Sequence, residues 1–429
     1  MKVDVLLGLQ WGDEGKGKIV DVLAPQYQVV ARFQGGPNAG HTLEFDGKKH
    51  VLHQIPSGVF RPEVLNIIGN GLVLDPIVFK KEVEGLKDKF DIDLTKNLQI
   101  SKKASLIIPS HRLLDAAYEQ AKGDSKIGST LRGIGPTYTD KVSRQGLRVG
   151  DVLSANFTEK YNRLVDTHKM ILGFYQFAYD LTETEKEFFE AIEFLRQFQL
   201  VDTEYVINDA INSGKTILAE GAQGSLLDID FGSYPFVTSS TTMTAGVCTG
   251  LGVAPKNVGE VYGIFKAYCT RVGSGPFPTE LSDETGEKIR QEGREFGATT
   301  GRSRRTGWLD LPSLKYTMML NGVTQLIMMK VDVLNIFDEI KVCTHYRLPD
   351  GTVTEQLPHD LNDTAVEPVY KVFKGWQTDL SSFHCYDDLP KELADYIAFL
   401  EESLGLPIRF ISTGPDREAI IHREAQLSV

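Results

Sequence analysis

A glycine-rich segment near the N-terminus has the composition of a phosphate-binding loop. Residues 12–18 read Gly-Asp-Glu-Gly-Lys-Gly-Lys and lie between two apolar runs, 3–7 and 19–23. A turn from a strand into a helix presents successive backbone N–H groups, which bind phosphate. The spacing is G-x-x-x-x-G-K, but Ile19 stands where the usual loop has a Ser or Thr for Mg²⁺. We therefore expect the metal to be held differently, with the carboxylate of Asp13 as first candidate, although a purely structural glycine turn remains the alternative.

A second glycine-rich segment, at 34–42, reads Gln-Gly-Gly-Pro-Asn-Ala-Gly-His-Thr. Its small residues let the backbone approach a ligand, and His41 supplies one imidazole that can titrate near neutral pH. A lone histidine is usually structural, but Asn38 and His41 lie in a loop that could not build a core. We expect His41 to bind a ligand or to take part in catalysis.

Further segments are rich in hydrogen-bond donors. The loop 128–136 combines glycines with hydroxyl groups and a guanidinium, while 221–224 and 237–240 add amide and hydroxyl groups after apolar runs. Each segment alone is a weak signal. Together they predict a second phosphate-bearing ligand outside the first loop.

The segment 297–308, called the arginine loop below, contains Arg302, Arg304 and Arg305, although the protein as a whole is acidic. Each guanidinium can bind a carboxylate or a phosphate through two parallel hydrogen bonds. A run of charges is usually a solvated surface. Here the flanking glycines and paired threonines favour a loop that closes over an anion.

An apolar run ends in Lys330-Val331-Asp332. An aspartate can accept hydrogen bonds from both N1–H and the 2-amino group of guanine, a pair of donors that adenine lacks, while a lysine stem lies along the base. The pattern alone is weak, but the phosphate loop upstream strengthens it. The segment 411–415, Ile-Ser-Thr-Gly-Pro, could close over the same base.

The composition narrows the class of protein. The chain has 429 residues and a net charge of −12, which disfavours non-specific binding to nucleic acid or to anionic membranes. Four cysteines without a CxxC pair suit buried thiols in a reducing compartment. With no signal-peptide pattern and no apolar stretch of about 18 residues, we expect a cytoplasmic protein.

Short apolar runs that end in polar turns predict the elements that position these loops. The runs at 64–68, 216–219, 258–265, 325–331 and 340–346 alternate with helix-like stretches, which indicates an α/β fold with a mainly parallel sheet. Between 151 and 205 the apolar residues keep helical spacing, and Thr182 and Glu185 are spaced as a capping box. We expect a helical insertion there.

The order of these motifs closely resembles the adenylosuccinate synthetase family over essentially all 429 residues. The resembling segments are 11–18, 36–41, 299–308, 330–332 and 412–415. The resemblance implies a homodimeric ligase with a P-loop-like nucleotide hydrolase architecture. It implies that IMP, L-aspartate and GTP give adenylosuccinate, GDP and phosphate through 6-phosphoryl-IMP, with one Mg²⁺ per subunit, in the first committed step from IMP to AMP. It also implies a single catalytic domain with a nucleotide-binding core (1–100 and 201–265), a largely helical insertion (101–200) and an aspartate- and guanine-binding part (266–429).

The same resemblance implies a role for each site residue. Asp13 removes the N1 proton of IMP, His41 stabilises the charge on the departing GDP, Lys16 neutralises phosphate, and Asp13 with the carbonyl of Gly40 holds Mg²⁺. GTP is expected to contact Gly12, Asp13, Glu14, Gly15, Lys16, Gly17, Lys18, Gly40, His41, Thr42, Arg304, Lys330, Val331, Asp332, Ser412, Thr413 and Gly414. IMP is expected to contact Asp13, Glu14, Gly15, Lys16, Asn38, Ala39, Gly40, His41, Thr130, Arg144, Gln223, Thr238 and Arg302. Aspartate is expected to contact Ala298, Thr299, Thr300, Gly301, Arg302, Ser303 and Arg304.

Arg144 has an expected role between subunits, and Ser303 and Leu131 depart from the family pattern. The resemblance places Arg144 across the dimer interface, on the phosphate of the partner's IMP. Ser303 interrupts a run that is often all arginine in the family, and Leu131 stands where glycine is common. We expect activity to survive both departures.

Two other classes of protein would use these motifs differently. A non-catalytic guanine-nucleotide switch would leave His41, the 128–136 loop and the arginine loop without a small-molecule role. An RNA-binding protein would use Arg302 to Arg305, but the net charge and the lack of interleaved aromatic residues disfavour it.

Overall fold

The computed structural model describes residues 1–45, 47–123, 126–297 and 301–423. Its strands are β1 (Val3–Gly8), β2 (Val29–Arg32), β3 (His41–Phe45), β4 (Lys48–Leu52), β5 (Leu65–Ile68), β6 (Val73–Leu74), β7 (Leu98–Ser101), β8 (Ser105–Leu106), β9 (Gln199–Val201), β10 (Ile217–Glu220), β11 (Val258–Lys266), β12 (Tyr268–Arg271), β13 (Arg305–Asp310), β14 (Gln325–Met329), β15 (Glu339–Arg347), β16 (Val353–Thr354), β17 (Glu367–Lys374), β18 (Ile408–Ser412) and β19 (Ile420–His422). Its α-helices are α1 (Lys16–Leu23), α2 (Pro76–Phe90), α3 (Pro109–Ala121), α4 (Ile134–Ser143), α5 (Phe157–Phe174), α6 (Thr182–Leu195), α7 (Thr203–Asn212), α8 (Ala245–Leu251), α9 (Glu284–Glu292), α10 (Leu311–Asn321) and α11 (Lys391–Leu404).

A ten-stranded sheet forms the centre of the fold, in the order β19-β18-β14-β11-β1-β10-β2-β5-β7-β9. Every neighbouring pair is parallel except β18 with β19. The predicted α/β fold with a mainly parallel sheet is therefore confirmed.

The strand β1 shows why the strands of the central sheet are continuous apolar runs in the sequence. Val3, Val5 and Leu7 pack into a core cluster on one face, while Leu6 packs with Ile19 of α1 on the other. A strand that is covered on both faces needs apolar residues at consecutive positions. Because the strands are parallel, the loops after β1, β2, β10, β11, β14 and β18 gather at one edge of the sheet.

One predicted strand lies in a different sheet. The run 340–346 belongs to β15, which pairs in parallel with β13 but antiparallel with β16 and β17 in a five-stranded sheet. Its burial alternates along much of its length, as expected of a strand with one solvated face. Apolar content alone could not reveal which sheet the strand joins.

The segment 151–205 contains the expected long helices, but the capping box is wrong. Leu181 is the N-cap of α6, and Thr182 is its first helical residue. The carboxylate of Asp180 accepts hydrogen bonds from both the backbone N–H and the hydroxyl of Thr182, at 2.9 and 2.7 Å. Glu185 instead accepts a hydrogen bond from the Tyr161 hydroxyl. The start of the helix is therefore stabilised by Asp180 and not by the predicted pair of Thr182 and Glu185.

Two expectations concern membranes and cysteines. Across the described ranges, no helix has both the length and the apolar composition needed to cross a membrane. Cys269 and Cys343 are buried thiols as predicted, but Cys248 is only partly buried and Cys385 is exposed. Nothing in the sequence indicated that the thiols of Cys248 and Cys385 would be accessible to solvent.

Candidate functional site

A cleft of about 430 Å³ lies at the edge of the sheet where the loops gather. It brings together residues from five of the segments that the sequence singled out: 12–18, 34–42, 128–136, 221–224 and 237–240. The predicted residues that line it are Gly12, Asp13, Asn38, Ala39, Gly40, His41, Thr130, Gln223 and Thr238.

The loop after β1 is held by a buried carboxylate. Glu14 accepts hydrogen bonds from the backbone N–H groups of Gln10 and Gly12, at 3.0 and 2.8 Å. Its other oxygen lies 2.7 Å from the Lys16 ammonium, which also donates to the carbonyl of Gly12. A Cβ at Gly8 would overlap this carboxylate at 2.1 Å, so only glycine fits there. Gly15 has φ 93, which turns the chain into α1 at Lys16.

Lys16 and Lys18 use their ammonium groups within the protein. Lys16 and Glu14 form an ion pair with side chains 1% and 0% exposed. Lys18 donates to the Ser412 hydroxyl and to the carbonyls of Gly414 and Ala419, at 2.8 to 2.9 Å. Burial lowers the pKa of Lys18 to about 8. Lys18 therefore ties α1 to the 412–419 loop, and phosphate contact by either ammonium stays a prediction.

His41 is the first residue of β3, and its ring is held by Glu220 at the end of β10. The Nδ1 atom lies 2.5 Å from the carboxylate, which also accepts the backbone N–H and the hydroxyl of Ser57. Burial, reinforced by the charge of Arg32, lowers the pKa of His41 to about 4. The imidazole is therefore neutral near pH 7, with Nδ1–H donating to Glu220. Its Nε2 is buried and has no hydrogen-bond partner among the described residues.

Asp332 has an oxygen that is free to accept hydrogen bonds. Its Oδ1 is buried and has no partner within the described part of the chain. Burial raises the pKa of Asp332 above its usual value. The neighbouring Lys330 has φ 61, and its ammonium donates to the carbonyl of Gly293 at 2.6 Å. An unpartnered acceptor of this kind fits the paired N–H groups predicted for a guanine base.

Two carboxylates of α3 organise the loop 128–133. Glu119 accepts the backbone N–H groups of Gly128 and Ser129, and Asp115 accepts the hydroxyl of Ser129 at 2.7 Å. Leu131 has φ 56, in the left-handed region where a glycine would be unstrained. The backbone of Leu131 is therefore strained at the position where the resemblance implies a glycine.

The arginine loop is described only in part. Ala298, Thr299 and Thr300 lie outside the described residues, while Gly301, Arg302 and Ser303 are exposed. An Arg302 nitrogen lies 3.5 Å from the carbonyl of Gly128, which links the arginine loop to the 128–133 loop. Arg304 points the other way, and its Nη2 lies 2.9 Å from Oδ1 of Asp13.

Arg144 does not reach the cleft of its own chain. It is an exposed residue with φ 64 that ends α4. Within the described ranges, no carboxylate lies at ion-pair distance from its guanidinium, so a salt bridge inside the subunit is not observed. The predicted contact with a partner subunit stays a prediction.

His111, Asp140 and His168 form a cluster that the sequence did not reveal. Both imidazole Nε2 atoms lie within 3 Å of one Asp140 oxygen, at 2.9 and 2.8 Å. The backbone N–H of Ile108 donates to Nδ1 of His111, which fixes the proton on Nε2. That nitrogen therefore has no lone pair for a metal. The cluster instead joins α3, α4 and α5 by hydrogen bonds.

Three charged residues of the site were not assigned roles from the sequence. Glu220 and Arg32 end buried strands, and Glu295 follows α9. The sequence did contain an indication for Glu220 and Arg32, because each is a charged residue at the end of an apolar run and shortly before a glycine-rich segment. Glu295 gave no signal, because its partners come from segments far apart in the sequence.

The sequence and the fold are similar to those of known proteins. The profile of the family described as adenylosuccinate synthetase matches residues 5–421. Among curated relatives, the adenylosuccinate synthetase of Cytophaga hutchinsonii is 67% identical over 426 residues, with 99% of each chain covered. That of Parabacteroides distasonis is 62% identical over 423 residues, again with 99% of each chain covered.

A solved structure is similar over the whole chain. The fully ligated adenylosuccinate synthetase from Plasmodium falciparum is 38% identical, with a TM-score of 0.93, and the match covers 99% of this chain and 100% of that one. Family profile, relatives and structure agree across nearly the full length. The chain belongs to the adenylosuccinate synthetase family, GTP-dependent ligases that form a C–N bond between IMP and L-aspartate.

Proposed function

We propose that this cleft performs the ligase reaction in two steps, with Asp13 as the base. The supporting observation is that Asp13 lines the same cleft as His41, Asn38, Thr130 and Gln223. In the first step the Asp13 carboxylate accepts the N1 proton of IMP. The electrons move to O6, which bonds to the γ-phosphorus of GTP as the bond to the β–γ bridging oxygen breaks. GDP leaves, and 6-phosphoryl-IMP remains.

In the second step the amine of aspartate attacks C6. The C6–O6 bond breaks, phosphate leaves with the former O6 of IMP, and the amine loses a proton. An oxo group is a poor leaving group, whereas phosphate is a good one. The protein contributes mainly positioning and charge stabilisation to such transfers.

His41 is assigned to the charge that develops on the departing GDP. Its ring is oriented by Glu220, its Nε2 is buried without a partner among the described residues, and the residue lines the cleft. When phosphate oxygens approach Nε2, a proton there gains a negative partner on each side of the ring. Glu220 then stabilises the imidazolium, so the neutral residue of the free protein becomes a cationic donor.

The residues present fit Mg²⁺. The Asp13 carboxylate and the Gly40 carbonyl are hard oxygen ligands, and both residues line the cleft. When bound, the metal supplies positive charge to the phosphate oxygens. The Oδ1 atom of Asp13 becomes available to IMP or to the metal when it is released from Arg304.

The other ligand contacts follow the resemblance. Asp332 accepts the guanine N–H groups, and the 412–414 loop, held by Lys18, closes over the base. Asn38, Thr130, Gln223 and Thr238 bind IMP, while Arg302 and Arg304 with the 298–303 loop bind the aspartate carboxylates. We assign 1–100 and 201–265 to nucleotide binding, 101–200 to the helical insertion and 266–429 to aspartate and guanine binding.

A homodimer completes the proposed site. Arg144 is exposed at the end of α4, away from the cleft of its own chain, as a residue shared with a partner would be. We infer that it binds the phosphate of IMP in the other subunit. We also infer a cytoplasmic location, from the cysteine usage and the substrates.

Oxygen transfer tests the two-step chemistry. With IMP that carries ¹⁸O at position 6, each phosphate released should contain one ¹⁸O atom by mass spectrometry. Direct displacement by aspartate without phosphorylation would leave the phosphate unlabelled and would overturn the proposal. A parallel assay of GDP should show release only when both IMP and aspartate are present. GDP release without either substrate would favour the nucleotide switch.

A further inference from the structure

Glu295 is a buried carboxylate at the meeting point of three cations. It lies three residues after α9 and two residues before the segment 297–308, and its side chain is 0% exposed. One oxygen accepts from Nη1 of Arg304 at 2.5 Å. The other lies 2.9 Å from the Lys330 ammonium and 3.2 Å from the Lys266 ammonium, and it accepts the Tyr268 hydroxyl at 2.5 Å.

The charge state of Glu295 is set by these partners. Burial alone would raise its pKa, but Lys266, Lys330 and Arg304 hold the pKa below its ordinary range. The carboxylate is therefore ionised at neutral pH. It is the shared counter-ion of the three cations, so its loss would remove one charged partner from each of them.

In the proposed site Arg304 serves aspartate, with a further contact to GTP implied by the resemblance, while Lys330 serves GTP alone. Arg304 has a second ion pair with Asp13, at 2.9 Å between Nη2 and Oδ1. Lys330 directly precedes Val331 and Asp332 and holds a left-handed backbone conformation, with φ 61. A continuous chain of contacts therefore runs from Asp13 through Arg304 and Glu295 to the guanine-reading segment.

In the proposed reaction the Asp13–Arg304 pair opens, because both residues turn to a substrate. Asp13 has to accept a proton from IMP, and Arg304 has to turn an edge of its guanidinium to the substrate carboxylate. Arg304 can exchange Asp13 for that carboxylate and still keep its position only if the other edge of its guanidinium stays bound. Glu295 is the partner on that other edge.

We propose that Glu295 is a positioning residue that keeps Arg304 in place during this exchange and couples aspartate binding to GTP binding through Lys330. The inference rests on the proposed roles of Arg304 and Asp332. It adds a residue that touches no substrate but orients groups at two subsites.

The primary test is Glu295→Gln, which keeps the size of the side chain and removes its charge. The KM values for aspartate and for GTP should each rise by about 10-fold or more, as expected for the loss of hydrogen bonds between charged groups. The KM for IMP should change by less than about 3-fold. Tyr268→Phe is the matched control, because it removes one hydrogen bond to the same carboxylate and leaves the charge. Its KM values should stay close to wild type.

A second variant separates positioning from stability. Glu295→Gln removes the counter-ion of the buried Lys266 ammonium, so the melting temperature should fall. Adding Lys266→Met removes the most deeply buried cation, and the double variant should regain melting temperature while both KM values stay raised. Recovery of both KM values along with stability would overturn the proposal, since Glu295 would then only balance charge. Failure of both variants to fold would also overturn it, because the residue would be a folding determinant.

The site assignments can fail separately. If Arg304→Leu leaves the KM for aspartate unchanged, the proposed aspartate site is wrong. If Arg304→Leu raises that KM and Glu295→Gln does not, only the role of Glu295 is wrong.

Discussion

The Nδ1 atom of His41 lies 2.5 Å from Oε1 of Glu220, at the end of a central strand. The carboxylate is also bound by the backbone N–H and the hydroxyl of Ser57, so its position is fixed. Burial opposes ionisation of Glu220, but its hydrogen bond with His41 and nearby charges hold its pKa below the usual value. A fixed carboxylate behind a neutral imidazole orients the ring and favours its protonation when phosphate arrives.

Glu220→Gln should lower kcat by about 10- to 100-fold, the range found when a hydrogen-bond partner that orients a metal-binding histidine is removed. Glu220 raises the pKa of His41, so without this charge the pKa should fall further below about 4. NMR titration of the imidazole and steady-state kinetics measure the two effects. Ser57→Ala, which removes one donor and keeps the charge, should have a much smaller effect. An unchanged kcat in Glu220→Gln would remove Glu220 from the mechanism.

Asp332→Asn should change the choice of base. The amide replaces one acceptor oxygen with a donor, which mismatches the 2-amino group of guanine but matches the 2-oxo group of xanthine. The ratio of kcat/KM should move from GTP toward XTP. Equal values for wild type and variant with both nucleotides would show that Asp332 does not read the base.

Arg304→Leu should raise the KM for aspartate by about 10-fold or more, because it removes a guanidinium suited to a carboxylate. The KM for IMP should change little. Arg305→Leu is a matched control, since Arg305 binds Glu280 and the carbonyls of Gly273 and Gly275 instead of facing Asp13. It should reduce stability more than aspartate affinity. Equal losses for IMP and aspartate in Arg304→Leu would indicate general loop closure.

Arg144→Leu should raise the KM for IMP, and IMP should tighten the wild-type dimer by linkage. Mixing Arg144→Leu with Asp13→Asn subunits should restore activity, because one site of the mixed dimer then has both residues intact. Sedimentation with and without IMP checks the dimer. Confirmed exchange of subunits with no recovered activity would contradict the shared site.

Local patterns predicted much of the fold and of the cleft. The runs that became β1, β5, β10, β11 and β14 were readable because a doubly covered strand is apolar at consecutive positions. The sheet to which β15 belongs was not readable, because pairing partners lie far apart in the chain. The start of α6 was found, but the acceptor at its start was Asp180 instead of Thr182.

The site divides in the same way. The spacing of the glycines predicted ligand-binding loops at 12–18 and 36–41, and residues of both segments line one cleft. The Glu14–Lys16 ion pair and the contacts of Lys18 could not be foreseen, because they depend on which way each side chain turns after folding. Glu295 was missed since its partners Lys266, Arg304 and Lys330 meet only in three dimensions.

Asp13 is proposed to withdraw the N1 proton of IMP, and one variant tests this role most directly. Asp13→Asn keeps the shape of the side chain but loses its charge and basicity. At saturating Mg²⁺ and substrates, kcat for GDP formation should fall by about 10²-fold to 10⁴-fold, the range usual for a general base, while substrate binding suffers far less. A variant that keeps more than about a tenth of the wild-type kcat would contradict the account.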